Sequence, residues 1–397
     1  MNAKRVVLAA TKSHRRNSYS LAEGLIKRYN DYKSMKKRFV AVDLFCGAGG
    51  LTVGLKKAGF KVVAAVEYDA EIAKTYKKNH PEVKLIVKDI RKVTGAEILK
   101  LTGLKKIDLV AGCPPCQGFS KLTDKHHRDD ERNLLVSEMG RIVAELKPTV
   151  CMLENVPGLS QRGMPLLGAL EKKLSDMKYK VNRGVLQMAD FGVPQSRRRL
   201  VLLAGKGFEI PLPTATHTRV PEEGSRVKPW VKLRDILTIK AQPISFLLAK
   251  EKGGPAKFNW HIIRDLKPIT LKRLRAIKAG GSRAALPKSL RPDCHKKSNI
   301  GFQNAYGRMS WETIAPTMTS GCTTLSSGRF GHPEEDRTIS IREAALIQTF
   351  PPFYEFDTKN IETACRLVGN ALPCNFATAV SKQCMERMRL LSSGQKM

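Results

Sequence analysis

No stretch of this 397-residue chain is apolar over the roughly 20 consecutive residues that a membrane-crossing helix requires, which argues against a helical membrane protein. Residues 1–38 lack the long apolar core of a secretory leader, and Glu23 and Asp31 fit poorly in an organelle-targeting peptide. They are expected to form a basic extension, with Ser20 and Glu23 spaced as a capping box that opens a helix through Tyr29. Acidic residues are scarce. Asp and Glu number 36 against 70 Lys and Arg, which leaves a formal net charge of +34. Such an excess suits a polyanion, nucleic acid before others, although a solvated basic surface has the same sign. Paired metal-ligand spacing is also missing. Of nine cysteines, Cys113 and Cys116 form the one Cys-x-x-Cys, and no His pair follows at zinc-ligand spacing. A redox dithiol or half a zinc site would explain that spacing alone, but nothing elsewhere completes either. Scattered cysteines fit a reducing interior better than a disulfide framework.

What is present is a strand–helix rhythm. Ile107 to Ala111 reads as a buried parallel strand running into Gly112-Cys113-Pro114-Pro115-Cys116-Gln117-Gly118-Phe119-Ser120. Two consecutive prolines stiffen that loop and hold Cys116 at a defined point, which suits a positioned nucleophile. Loops at the carboxyl ends of parallel strands are where ligands sit. Upstream, Phe39 to Phe45 reads as a strand, Cys46-Gly47-Ala48-Gly49-Gly50 as a glycine turn, and Leu51 to Ala58 as a helix. This is a cradle for a nucleotide-type cofactor. The strand from Lys61 to Val66 ends at Glu67, whose carboxylate can accept from two ribose hydroxyls. The strand from Lys84 to Val87 leads to Asp89, placed to accept from an adenine amino group. The glycine spacing departs from G-x-G-x-x-G, and on these residues alone NAD fits nearly as well as S-adenosylmethionine.

Downstream, Lys121 to Arg132 is polar and charge-dense, either a lid or a surface loop. A helix from Leu134 to Leu146 precedes a strand from Thr149 to Leu153 that ends in Glu154-Asn155-Val156-Pro157. Another helix spans Met164 to Met177. Strands from Val181 to Gln187 and from Arg199 to Ala204 then flank a turn with Gln195, Arg197 and Arg199. From Gly205 to about Arg337 the rhythm stops in a Pro-, Gly- and Lys/Arg-rich interval. It returns at Ser340 with a helix stopped by Pro351-Pro352, then Val368-Gly369-Asn370-Ala371-Leu372-Pro373, then a helix from Phe376 to about Leu391.

These blocks, in this order, resemble those of the bacterial-type DNA (cytosine-5) methyltransferases. The likeness runs from Phe39 to Leu391 and departs nowhere at the reacting residues. It implies an α/β fold, a Rossmann-like S-adenosylmethionine-dependent methyltransferase sheet with a smaller target-recognition domain. The divisions implied are a catalytic and cofactor domain at 39–206, a recognition domain at 207–338, and a returning segment at 339–392. The cofactor implied is S-adenosyl-L-methionine, held by Phe45, Gly47, Gly49, Gly50 and Glu67 with Tyr68, and by Asp89, Ile90, Pro115 and Asn370. Cys116 is implied as the nucleophile and Glu154 as the group on the N3 and N4 edge of cytosine. Arg197 is implied at O2 and Arg199 at phosphate or a neighbouring group. Gln117, Ser120 and Gln195 are implied as further substrate contacts, with no metal. The Tyr306 to Trp311 and Pro316 to Thr319 stretches also look like a recurrent family block, without an assignable role. The partners expected are double-stranded DNA and a restriction endonuclease of the same specificity, in the bacterial cytoplasm at the nucleoid. Three rivals remain: a tRNA methyltransferase on this framework, an NAD oxidoreductase, and a nonenzymatic DNA-binding relative. The second leaves Cys116, Glu154 and Arg197 unexplained, and the third has no lost reacting residue to point to.

Overall fold

The computed structural model describes residues 38–115, 134–293 and 304–394. Its centre is a seven-stranded sheet in the order β3-β2-β1-β4-β5-β7-β6. The strands are β1 (Val40–Leu44), β2 (Lys61–Glu67), β3 (Lys84–Val87), β4 (Leu109–Gly112), β5 (Val150–Asn155), β6 (Tyr179–Gln187) and β7 (Arg198–Lys206). The first five run parallel, and β7 runs antiparallel to both β5 and β6. The near-continuous apolar runs of β1, β2, β4 and β5 follow from covering on both faces. Helix α1 (Gly50–Ala58) and the last helix, α10 (Cys374–Ser392), lie on one side. Helices α4 (Leu135–Leu146) and α5 (Met164–Asp176) lie on the other.

Two further helices in this half are α2 (Ala70–Asn79), capped by Asp69, and α3 (Gly95–Thr102), capped by Thr94. Where α1 crosses α10 the backbones nearly touch. A Cβ on Gly54 would stand 2.4 Å from that of Ala377, so only glycine fits without a shift.

Beyond β7 the described residues carry two small two-stranded sheets and the short helices α6 (Phe246–Glu251) and α7 (Pro268–Arg275). So few regular elements leave many carbonyls to satisfy. Arg308 answers part of that need. It is 5% exposed and donates to the carbonyls of Ile277, His332, Glu335 and Leu274 and to the Asp336 carboxylate. The Tyr306 to Trp311 block therefore has a structural role, gathering loops around a guanidinium.

Helix α8 (Ile341–Ile347) opens on a capping box between Ser340 and Glu343, and α9 (Ile361–Gly369) on Asn360. The helix expected to run to Pro351 stops earlier. Thr349 is left-handed at φ 59°, and the Gln348 side chain turns away to donate to the Val368 and Ala371 carbonyls.

Candidate active site

Strand register builds the reacting end. Parallel pairing of Gly112 with Leu153 sets Cys113 beside Glu154 at the carboxyl ends of β4 and β5. Because β7 is antiparallel, its start lies at the end of β5, where Asn155 pairs with Leu200. Side chains alternate across a strand, so Arg197 and Arg199 share one face while Arg198 points outward and is exposed. Arg199 Nε donates to Glu154 Oε1 at 3.0 Å. Glu154 is 7% exposed, so water screens this pair little. Asn155 Nδ2 donates to the Pro114 carbonyl at 2.9 Å, tying the proline loop to the strand that carries Glu154. The Cys116, Gln117 and Ser120 expectations lie outside the described residues; the chain is described up to Pro115, which is partly buried.

Arg197 is held from behind. Its Nη1 donates to the carbonyls of Met318 at 2.8 Å and Gly369 at 3.2 Å, and its buried Nε has no acceptor among the described residues. Burial, with Arg199 as neighbour, pulls its pKa down to about 9, while Glu154 and Cys113 oppose that fall. Burial likewise lowers Arg199, against the pull of Glu154. Burial and then Glu154 push the Cys113 thiol well above its ordinary range. Cys113 is therefore a thiol, not a thiolate, and a poor nucleophile. Among the described residues no cluster of His, Cys, Asp and Glu is arranged to hold a metal ion.

Gln195 departs from its expected place on the substrate. It is fully buried, donating through Nε2 to Gln348 Oε1 at 2.7 Å and accepting at Oε1 from Met318 N–H at 2.8 Å. Its amide is spent inside the protein, bracing the Met318 backbone that receives Arg197.

The other end of the crevice lies past β1 and β2. Glu67 accepts from Gly47 N–H and Asp69 N–H, each at 2.9 Å, which fixes a carboxylate that still has free lone pairs. Burial raises its pKa, and those backbone donors lower it. Phe45 is left-handed at φ 60°, and Tyr68 is 75% exposed. The glycines divide by role. A Cβ on Gly47 would meet nothing within 4 Å, so space above the turn is open. On Gly49 a Cβ would press His80 and Tyr354, and on Gly50 the Leu372 carbonyl at 2.2 Å, so those two are glycine because protein approaches them.

Asp89 caps a short turn through Arg91 N–H, and its carboxylate receives the Arg91 guanidinium, which holds its pKa below the usual range. Ile90 is 3% exposed, its side chain in the core. Asn370 is exposed at the end of α9, a helix joined to Asp69 by Arg366. Sequence reasoning passed over Asp43. It is fully buried beneath the turn, accepts from Thr52 at 2.6 Å, and is pushed up to about 7 by burial. An open glycine turn, a fixed carboxylate and an uncovered aromatic fit the ribose and adenine of S-adenosylmethionine.

The family model for C-5 cytosine-specific DNA methylases matches residues 39–386. The Type II methylase M.HgiDII of Herpetosiphon aurantiacus is 36% identical over 352 residues, which is 86% of this chain and 93% of that protein. The Type II methyltransferase M.XorII of Xanthomonas oryzae pv. oryzae is 33% identical over 375 residues, 89% of this chain and 86% of the relative. Among solved structures, an E. coli prophage-encoded DNA modification methyltransferase superposes with a TM-score of 0.66 at 22% identity, covering 88% of this chain and 99% of that one. S. pombe Dnmt2 does so at 0.60 and 18% identity, covering 89% and 99%. At those identities the solved structures speak to the fold, which is the α/β methyltransferase fold expected. With the family model spanning nearly all the described residues and relatives above 30% identity along most of their length, the chain belongs to the C-5 cytosine-specific DNA methylases and is a DNA cytosine-5 methyltransferase that uses S-adenosyl-L-methionine as methyl donor.

Proposed function

We propose that this enzyme methylates C5 of a flipped-out cytosine within a specific duplex sequence, by way of a covalent bond between Cys116 and C6. The observation that carries this reading is the meeting of Glu154, Arg199 and Arg197 at the ends of β5 and β7, with Asn155 tied to the loop two residues before Cys116. C5 of cytosine is a weak nucleophile. A Cys116 thiolate adding to C6 forms an S–C bond and moves the C5–C6 π electrons to C5, making the ring an enamine. Glu154, ion-paired to Arg199 in the free enzyme, takes up a proton from solvent as cytosine docks and engages the N3 and N4 edge. It gives that proton to N3 as negative charge gathers there and recovers it when the C6–S bond breaks. Arg197 faces O2. Arg199 orients Glu154 through their ion pair. Bound S-adenosylmethionine supplies an electrophilic methyl group. Glu67 and Tyr68 hold its ribose and adenine, and Gly47 leaves room for it. Water or hydroxide in the cleft then takes the C5 proton, and the C6–S bond breaks. The stacked duplex hides C5 and C6, so flipping, at a few kcal/mol, precedes chemistry and is offset by backbone contacts.

The basic interval of about 207–338 is assigned to DNA recognition, its lysines and arginines to phosphates. The Type II names of the relatives make a restriction endonuclease of matching specificity the expected partner class.

Bisulfite or nanopore sequencing of DNA from cells expressing the protein tests the reading. 5-Methylcytosine should appear in one short sequence context with the wild-type chain and nowhere with Cys116→Ser. Labelled methyl entering tRNA and not DNA would move the assignment to the RNA-modifying branch. The charge leads to a second expectation. If the basic interval lies on phosphates, log affinity for duplex DNA falls with log salt by about 0.9 per phosphate contact. A shallow slope of one contact or fewer contradicts that placement. Deleting residues 1–38 reduces the slope only if they touch DNA, and methyl transfer survives the deletion.

A further inference from the structure

The glycine turn is braced from below by a chain of polar side chains that the chemistry above does not use. Lys56, on α1, has its Nζ 2.6 Å from His80 Nδ1 and also pairs with Glu82. An ammonium only donates, so Nδ1 accepts and the ring proton sits on Nε2. Nε2 lies 3.0 Å from Tyr354 Oη and donates to it, which commits the Tyr354 hydroxyl to donate onward to the Ala48 carbonyl. The direction is consistent along the whole chain: ammonium, imidazole, phenol, peptide carbonyl. Burial, then Lys56, pulls His80 down to about 4, in keeping with a neutral ring.

The relay touches the turn directly. A Cβ on Gly49 would be 2.6 Å from both His80 Nε2 and Tyr354 Oη. Ala48 lies between the two left-handed glycines of the cradle, Gly47 and Gly49. Glu67 grips the Gly47 N–H from one side and Tyr354 grips the Ala48 carbonyl from the other. Tyr354 arrives from the segment after α8, where Arg342 donates to its carbonyl at 2.7 Å.

We propose that Lys56, His80 and Tyr354 are positioning residues that hold the Ala48 peptide, and with it the glycine turn, in the conformation that binds S-adenosylmethionine. This rests on the cofactor reading of the turn. Removing the phenol oxygen leaves the Ala48 carbonyl without its donor and takes from His80 Nε2–H its acceptor at 3.0 Å, with the Gly49 backbone as the remaining neighbour. The turn then relaxes in the free protein and must be reordered on binding.

The test is calorimetric binding of S-adenosylhomocysteine to the full chain, with methylation kinetics and thermal melts alongside. Tyr354→Phe and His80→Leu should each weaken binding by about tenfold, the loss of one buried hydrogen bond, and raise KM for the methyl donor with kcat nearly kept. His80→Gln keeps an acceptor and a donor in the same order and should stay within about threefold of wild type. Tyr179→Phe is the control. It deletes another buried phenol, bonded to the Pro148 carbonyl far from the turn, and should lower the melting temperature without altering affinity. Unchanged affinity in both Tyr354→Phe and His80→Leu overturns the proposal. So does equal weakening by Tyr179→Phe, which would mark a general loss of stability. Wild-type protein that does not bind the probe brings down the cofactor reading itself.

Discussion

A duplex carrying 5-fluorocytosine in the recognised sequence, incubated with the enzyme and S-adenosylmethionine, is expected to yield a protein–DNA complex that survives denaturing electrophoresis, and Cys116→Ser is expected to abolish it. Release of Cys116 requires loss of the C5 hydrogen as a proton, and fluorine cannot leave as a cation. The reaction then halts after methyl transfer with the C6–S bond intact. A serine hydroxyl is far less ionised than a thiol at neutral pH, so the substitution removes the covalent route, and methylation should fall by at least about a thousandfold. Cys113→Ser is the informative partner. Burial and Glu154 hold Cys113 protonated, so its removal should leave the adduct in place. Glu154→Gln should slow adduct formation while DNA affinity stays close to wild type, since the phosphate contacts remain. An adduct through Cys113, or one persisting in Cys116→Ser, would overturn the choice of nucleophile.

The second large effect concerns stability. Arg337 and Glu343 form a two-pronged ion pair, Nη1 to Oε2 at 2.8 Å and Nη2 to Oε1 at 3.0 Å, with side-chain exposures of 9% and 4%. Glu343 also accepts from Ser340 N–H as the cap of α8. Arg337 also pairs with Glu335, so Glu343→Gln leaves the guanidinium one of its two carboxylates, and the cost should lie toward the lower end of the about 3–5 kcal/mol of breaking a buried pair. Denaturant midpoints measure it, and a change below about 1 kcal/mol would show that the pair behaves as an exposed one. The pH dependence has a definite sign. Burial works to raise the Glu343 pKa, but Arg337 holds it below the ordinary carboxylate value. The stabilisation is therefore present above the unfolded pKa and is lost as pH falls through the lower folded one. Wild type should lose stability in acid more steeply than Glu343→Gln.

The sheet is legible because each central strand is an apolar run ending in a turn signal, and the expected starts of all its strands fall within two residues of those observed. Glu154, Arg197 and Arg199 stand out through the family blocks they belong to, since a lone Glu at a strand end or a basic turn by itself looks like solvated surface. Their meeting in one cleft is implied by the same resemblance and by no local pattern, because it depends on β7 running against β5. Helices α2 and α9 went unread although Asp69 and Asn360 are good caps, since neither is followed by a long apolar periodicity. Gln195 is placed among the substrate contacts by the resemblance of Gln195-x-Arg197-x-Arg199 to a family block, which does not state what its side chain bonds. Its partners, Gln348 and Met318, lie more than a hundred residues away. The backbone carbonyls of Met318 and Gly369 that seat Arg197 leave no side-chain signature. Gly369 carries an indirect one: a Cβ there would strike the Thr319 backbone at 2.1 Å.

The contact between α1 and α10 sets an order of events during synthesis. Ala377 leaves the ribosome more than three hundred residues after Gly54, so at ordinary elongation rates roughly 15–65 s separate them. Through that interval Leu51 and Leu55, both buried in the finished protein, wait for part of their covering, and the ledge beneath the cofactor turn lacks Tyr354. If Tyr354 braces the turn as proposed, a nascent chain gains a firm hold on its methyl donor only after Tyr354 has been made. Translation that stops early yields a fragment with a bare helix face, a mark by which quality-control proteases can tell it from finished enzyme.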